Sequence, residues 1–187
     1  MAQLRRHERN LQKIEIRISG LGGQGVVLAG QVLGRAAVLD GKNAVQTQAY
    51  GAEARGSLAK SEVIISEGKI GFPIVRKCDV LVAMNQEAIE RNLKDLKENG
   101  VVLLDDSVVK NVPETKARLF KVPATQIAED SCGGKIYANM VMLGALVTVA
   151  RIVNKDCVKL SIKDVLGEKG SEANILAFEK GEGAITA

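Results

Sequence analysis

Ile14, Ile16 and Ile18 alternate with Glu15 and Arg17, and this period of two predicts a strand with one apolar face. Beyond it, Val26, Ala29, Leu33 and Ala36/Ala37 recur at helical spacing, with Leu28 and Val32 widening the stripe. Ser19-Gly20-Leu21-Gly22-Gly23-Gln24-Gly25 lies between the two patterns, and so reads as a tight strand-to-helix turn. Such a turn lets backbone approach a ligand closely and points unpaired helix-start amides outward, where an anion is favoured. No acidic residue occupies the first helical turn to cancel that field.

The remaining pattern alternates strands with helices. Asp40-Gly41-Lys42 ends the first helix, Asn43 to Gln48 reads as a second strand, and Tyr50 to Ser57 as a loop of small and polar residues. Leu58 to Ser66 is a strand, and Glu67-Gly68 before Lys69 to Phe72 predicts a hairpin that Pro73 closes. Val80-Leu81-Val82-Ala83 and Val101 to Leu104 are continuous apolar runs, which mark strands buried on both faces. Asn85 is placed to cap a helix carrying Ile89, Leu93 and Leu96, with Asn99-Gly100 as its stop. Ala117 to Val122 is a further strand, and Pro123 is suited to open a short helix. Tyr137 to Val153 is apolar nearly all round and must be buried, with Gly144 and Ala145 allowing another element to come close. Ser161 and Ser171 read as caps of two last helices, the second stopped by Gly181. The expected fold is α/β: a single doubly wound, mostly parallel, Rossmann-like three-layer sheet with one antiparallel hairpin. Residues 1–13 read as a basic extension and 14–187 as one domain.

Charge changes this picture little. The net charge is +4, and Arg5, Arg6, Arg9 and Lys13 against Glu8 place most of it in the extension. The domain itself is nearly neutral, and aromatic residues are 3% of the chain with no Trp, which argues against nucleic acid. The first residues lack the apolar core of a signal peptide, and Met140 to Ala150 is too short to span a bilayer, so a cytoplasmic protein without membrane contact is expected. Cys78, Cys132 and Cys157 are scattered, so no zinc or iron–sulfur spacing exists, and a reducing compartment fits three free thiols. The single histidine, His7, falls in the extension, which argues against histidine-based catalysis.

Gly20, Gly22 and Gly25 satisfy G-x-G-x-x-G, but a dinucleotide site also needs an acidic residue at the tip of the second strand. Gln46-Thr47-Gln48 stands there instead, and Asp40 comes before the strand. Three readings stay open for the turn: a dinucleotide, another anion or phosphate, and a structural turn. In the loop after the second strand, Glu53 and Arg55 either meet a carboxylate or phosphate or form a solvated local ion pair. That loop opens on the same carboxyl edge as the glycine turn, which tilts the balance towards function. The candidate binding set is therefore Gly22, Gly23, Gln24, Gly25, Tyr50, Glu53 and Arg55, with no catalytic residue and no metal ligand. Asp105-Asp106 reads as a turn with Ser107, and Gly133-Gly134-Lys135 as a turn before the buried helix. A free-standing Rossmann-like nucleotide-binding or redox protein is the alternative reading.

Four stretches carry a family resemblance: Ser-Gly-Leu-Gly-Gly-Gln-Gly-Val-Val-Leu-Ala-Gly (19–30), Thr-Gln-Ala-Tyr-Gly-Ala-Glu-Ala-Arg-Gly-Ser (47–57), Glu-Val-Ile-Ile-Ser (62–66) and Asn-Met-Val-Met-Leu-Gly-Ala-Leu (139–146). Ala-Phe-Glu-Lys-Gly (177–181) fits as well. With these the chain resembles the gamma subunit of 2-oxoacid:ferredoxin oxidoreductases, and the Tyr-Gly-x-Glu-Ala-Arg-Gly form resembles the 2-oxoglutarate branch. Ala52 departs from the proline common there. The resemblance implies alpha and beta partners, with a delta or ferredoxin-like chain as a further candidate, and ferredoxin as electron acceptor. It implies decarboxylation of a 2-oxoacid with coenzyme A, using thiamine diphosphate, magnesium and iron–sulfur clusters held by other chains. It further implies that this chain binds no cofactor tightly, is inactive alone, and helps complete the coenzyme A and substrate site.

Overall fold

The computed structural model describes residues 13–51 and 57–185. Six strands form one sheet in the order β2-β3-β1-β4-β5-β6. Their ranges are β1 Lys13–Leu21, β2 Asn43–Tyr50, β3 Leu58–Ser66, β4 Cys78–Ala83, β5 Leu96–Asp105 and β6 Arg118–Val122. The helices are α1 Val26–Leu39, α2 Gln86–Asn92, α3 Ala124–Cys132, α4 Ala138–Ala150, α5 Lys155–Leu166 and α6 Glu168–Gly183. β1, β4, β5 and β6 are mutually parallel, as continuous apolar strands linked by crossovers require. The expected α/β sheet with one antiparallel intrusion is present, and Lys13 already belongs to β1.

The intrusion takes a different form from the one Glu67-Gly68 suggests. β3 is antiparallel to β1 on one side and to β2 on the other, so its hairpin partner is β2. Residues 69–72 form no strand. The local turn signal is outweighed by two long ladders, Lys13↔Ser66 to Leu21↔Leu58 and Asn43↔Ser66 to Tyr50↔Ala59. Each ladder satisfies backbone groups that a four-residue strand could not.

The two sheet faces are covered unequally. One core packs α1, α3, α4, α5 and α6 around Ile16, Ile18, Leu33, Val63, Leu103 and Leu146. The second gathers Ile64, Leu81, Ile89, Val102 and Leu104 under α2 and the irregular segments at Ile70, Val75 and Val109. α4 lies within the first core, with every residue from Ala138 to Val147 buried, which accounts for its apolarity all round.

Helix ends follow the sequence in part. Asn85 Oδ1 accepts a hydrogen bond from the Ala88 amide at 2.9 Å, as its position predicts. α2 is shorter than expected, however. It ends at Asn92, a 3-10 turn spans Leu93–Asp95, and Asn99-Gly100 lies inside β5. Pro123 stands one position ahead of α3, at its N-cap. α4 stops at Ala150, where Arg151 takes a left-handed conformation (φ 52°). Ser161 and Ser171 cap nothing. Ser161 sits inside α5 and donates to Val32 O at 2.8 Å, tying α5 to α1, while Asn154 caps α5. Ser171 donates back to Glu168 O within the first turn of α6.

Cys78 is fully buried, and its thiol points at Asp95 O at 3.6 Å. Burial pushes that thiol up to about 11, against a smaller opposing pull from Arg17. Only about one molecule in a thousand is a thiolate at pH 8, and the thiolate is the reactive form. An alkylating reagent at pH 8 is therefore expected to leave Cys78 unmodified in the native protein and to label all three cysteines in denaturant. Peptide mass mapping reads this, and native labelling of Cys78 would contradict its place in the core.

Candidate functional site

The carboxyl ends of β1 and β4 lie side by side, and the helices after them cover opposite faces: α1 one, α2 the other. This is a topological switch point, where open α/β sheets gather ligands. The turn 22–25 leaves β1 at this place. Gly25, the N-cap of α1, has φ 71° and ψ 22°, and Gly23 has φ 98°. A Cβ on Gly25 would also collide with Asn139 Nδ2, so both backbone and space demand glycine there. α1 has no side-chain cap and no acidic residue in its first turn, so its leading amides keep their field.

Gln24 is the residue that closes the crevice. Its Oε1 accepts from the Leu21 amide at 2.7 Å, and its Nε2 donates to Met84 O at 2.9 Å. One side-chain amide thus bridges the exits of β1 and β4. Gly22 N donates to Ser57 O at 2.9 Å, which ties the glycine turn to the far end of the loop that follows β2. Gly51 N donates to Leu58 O at 2.8 Å, closing the near end of the same loop. Tyr50, the last residue of β2, is 62% exposed at this edge. Glu53 and Arg55 lie outside the described residues. The structure therefore brings together Gly22, Gly23, Gln24, Gly25 and Tyr50 on one edge.

Two residues essential to this geometry carry no site signal in the sequence. Asn139, 2% exposed at the start of α4, donates from Nδ2 to Gly25 O at 3.1 Å and uses Oδ1 to accept from the Met140 amide. Its sequence marks are its position at the head of an apolar helix and its place at the start of the 139–146 stretch, and neither points to the glycine turn. Gln46 Nε2 donates to Val27 O at 3.1 Å and to Ser61 Oγ at 2.8 Å, clamping the first turn of α1 to the sheet. It stands where a ribose-binding carboxylate would be sought, and it does structural work instead.

The other candidates have plain roles. Asp105 is buried at the end of β5, where Oδ1 accepts from Ser107 N at 3.1 Å and Oδ2 from Thr125 Oγ1 at 2.5 Å. It organises the turn and anchors α3. Asp106 continues the edge through its amide, which donates to Val122 O. Gly133 ends α3 in a left-handed conformation, and Gly134 leads into the 3-10 turn before α4. Among the described residues, no group of three His, Cys, Asp or Glu side chains is placed to hold a metal ion, and no helix is long and apolar enough to cross a membrane.

Residues 15–184 match the pyruvate ferredoxin/flavodoxin oxidoreductase family. The chain is 49% identical over 170 residues to the KorC subunit of 2-oxoglutarate synthase from Methanocaldococcus jannaschii, covering 89% of this chain and 91% of that subunit. The crystal structure of the gamma subunit of a keto/oxoacid ferredoxin oxidoreductase from Geobacter sulfurreducens superposes with a TM-score of 0.84 at 39% identity, over 92% of this chain and 96% of that one. The 2-oxoglutarate:ferredoxin oxidoreductase of Magnetococcus marinus, solved with 2-oxoglutarate, coenzyme A and succinyl-CoA bound, also gives a TM-score of 0.84, at 26% identity, over 92% of this chain and 31% of that chain. The chain belongs to the pyruvate ferredoxin/flavodoxin oxidoreductase family.

Proposed function

We propose that this chain is the gamma-type subunit of a 2-oxoglutarate:ferredoxin oxidoreductase, a complex that decarboxylates its 2-oxoacid with coenzyme A and passes electrons to ferredoxin. The assignment to 2-oxoglutarate rests on the 49% identity to a 2-oxoglutarate synthase subunit and on the Tyr50-Gly51-x-Glu53-Ala54-Arg55-Gly56 loop. The observation that carries a role at the ligand is the joined edge. An uncapped, acid-free helix start and the Tyr50–Ser57 loop are fastened to each other by the Gly22–Ser57 hydrogen bond. Such an edge suits a phosphate-bearing ligand at its rim. Gly22, Gly23, Gln24, Gly25, Tyr50, Glu53 and Arg55 form that rim, and alpha and beta chains supply the rest of the site.

The described residues offer no donor set for an iron–sulfur cluster or magnesium, so thiamine diphosphate, its metal and the clusters belong in this reading to partner polypeptides. The chain's own residues bind and orient: helix-start amides draw an anionic group, Arg55 pairs with it, and the Gln24 bridge fixes the turn that presents those amides. Three free cysteines fit a reducing cytoplasm.

Reconstitution tests the proposal. The isolated chain should show no turnover, and mixing it with alpha and beta subunits should restore coenzyme A-dependent 2-oxoglutarate oxidation. In the assembled complex, Arg55→Ala is expected to raise the KM for coenzyme A about tenfold or more with a smaller change in kcat, as the loss of one charge-assisted contact implies. An unchanged KM would reduce the loop to packing. Tight binding of NAD, NADP or FAD by the isolated chain in calorimetry would favour the free-standing reading instead.

A further inference from the structure

The segment that runs from β3 to β4 sets an apolar pair in water beside positive charge that no carboxylate among the described residues pairs. Ile70 and Val75 turn inward against the second core, whereas Phe72 and Ile74 between them are 56% and 52% exposed. The two side chains share the wall of an open groove of about 500 Å³ with Glu15, Arg76, Lys77 and Lys97. Lys97 is engaged, lying 2.9 Å from both Glu15 and Asp79. Arg76 and Lys77 are exposed and pair with no carboxylate among the described residues. The segment is held at its base, because the buried Arg17 guanidinium donates to Val75 O at 3.2 Å. An aromatic and an aliphatic anchor on a fixed support, flanked by cations, is the anatomy of an interface centre with its rim.

We propose that the Phe72–Ile74 ridge docks a second polypeptide of the same oxidoreductase through an apolar pocket rimmed by Asp and Glu side chains. The proposal rests on the reading of this chain as a subunit. Charge decides among occupants. A second copy meeting across a two-fold axis would bring Arg76 and Lys77 towards their own equivalents, and like charges oppose that contact. The chain's own N-terminal stretch carries Arg5, Arg6 and Arg9 against Glu8, so it cannot neutralise the groove. An acidic rim on a different protein satisfies both the apolar ridge and the free cations. The ridge is also remote from the ligand edge: Glu15 and Lys97, near the starts of β1 and β5, line the groove, whereas β1 and β4, parallel to each other, exit at the glycine turn. Docking here therefore leaves the carboxyl edge open to coenzyme A and to other subunits.

Two measurements on the full chain and the complementary alpha–beta complex test this. Hydrogen exchange should show residues 70–77 protected on assembly. The double variant R76E/K77E and the variant F72S should each weaken assembly at least ~10-fold, and R76E/K77E should flatten its salt dependence. All the replaced side chains are exposed, and an unchanged urea midpoint checks that the variants fold. Wild-type assembly with unaltered exchange at 70–77 and indifferent variants would overturn the docking ridge while leaving the subunit assignment intact. Failure of the wild-type chain to assemble at all would overturn both. Dimerisation of the isolated chain that F72S abolishes would assign the ridge to a second copy. Binding to phosphatidylserine vesicles lost in R76E/K77E would assign it to a membrane. Either result overturns the proposal.

Discussion

Arg17→Ala is expected to lower folding stability by about 3–5 kcal/mol, read as a fall in the urea midpoint at constant m-value. Arg17 is 3% exposed on β1, and every part of its guanidinium is used. Nε donates to Glu62 at 2.8 Å, Nη1 to Asp95 at 2.7 Å and Asn92 Oδ1 at 3.3 Å, and Nη2 to Val75 O. Burial disfavours the charged guanidinium, but Asp95 and Glu62 outweigh it and hold the proton more tightly than usual. Truncation removes the one group that joins β1, β3, the end of α2, the 3-10 turn and the 67–77 segment. It also strands the Glu62 carboxylate, itself 8% exposed, with Lys60 at 3.5 Å as its one remaining cation among the described residues. A lone buried charge is the expensive outcome, and removing both charges is far milder. The double variant R17M/E62L should therefore recover much of the loss. A cost below about 1 kcal/mol for Arg17→Ala would mean that the pair behaves as a surface bridge.

The second large effect is steric. α4 and α6 cross so closely that a Cβ on Gly181 would overlap the Val141 carbonyl, and one on Gly144 would overlap the Phe178 carbonyl. Gly→Ala inside a helix ordinarily gains up to about 1 kcal/mol from propensity. Here the obstacle is backbone of a buried helix, which cannot rotate away as a side chain would. Relief requires α6 to move off the core that holds Phe178 and Ala177. Overpacking dominates, and Gly181→Ala should destabilise by at least about 2 kcal/mol net. Gly183, two residues on in the same helix, is the control: a Cβ there meets nothing within 4 Å. Gly183→Ala should be neutral or mildly stabilising. Thermal unfolding of the pair decides the matter, since equal effects at the two sites would remove the close crossing as an explanation.

Much of the architecture was legible because it is local. The switch from period two to helical spacing across residues 19–25 places the glycine turn, and continuous apolar runs identify β4 and β5 as central strands. Asn85 as a cap, Asp105 with Ser107 as a turn and the burial of α4 also follow from neighbours in sequence. The shared edge was legible, because parallel β1 and β2 exit at the same end of the sheet; the Gly22–Ser57 hydrogen bond, which ties the glycine turn to the residue before β3, was not. The resemblance carried by residues 19–30, 47–57, 62–66 and 139–146 led to the family that the comparisons show.

What escaped the sequence depends on partners distant along the chain. Arg17 alternates with isoleucines, and that pattern names no partner for it, yet the side chain is buried on the face of the second core, bonded to Glu62, Asp95 and Val75. Glu67-Gly68 has the local form of a hairpin turn, but β3 pairs instead with strands on both sides. Ser161 has the form of a cap, and its hydroxyl is taken up by α1, 129 residues away in number. Asn139 and the Gln24 bridge shape the turn only because α4 and β4 arrive beside it. The sequence by itself determined the elements and their order, because apolar periodicity and turn chemistry act over a few residues. Tertiary structure alone decided which strand neighbours which, which polar side chains are buried, and that a glutamine spans the switch point. Those outcomes depend on satisfying buried hydrogen bonds between segments that no local pattern links.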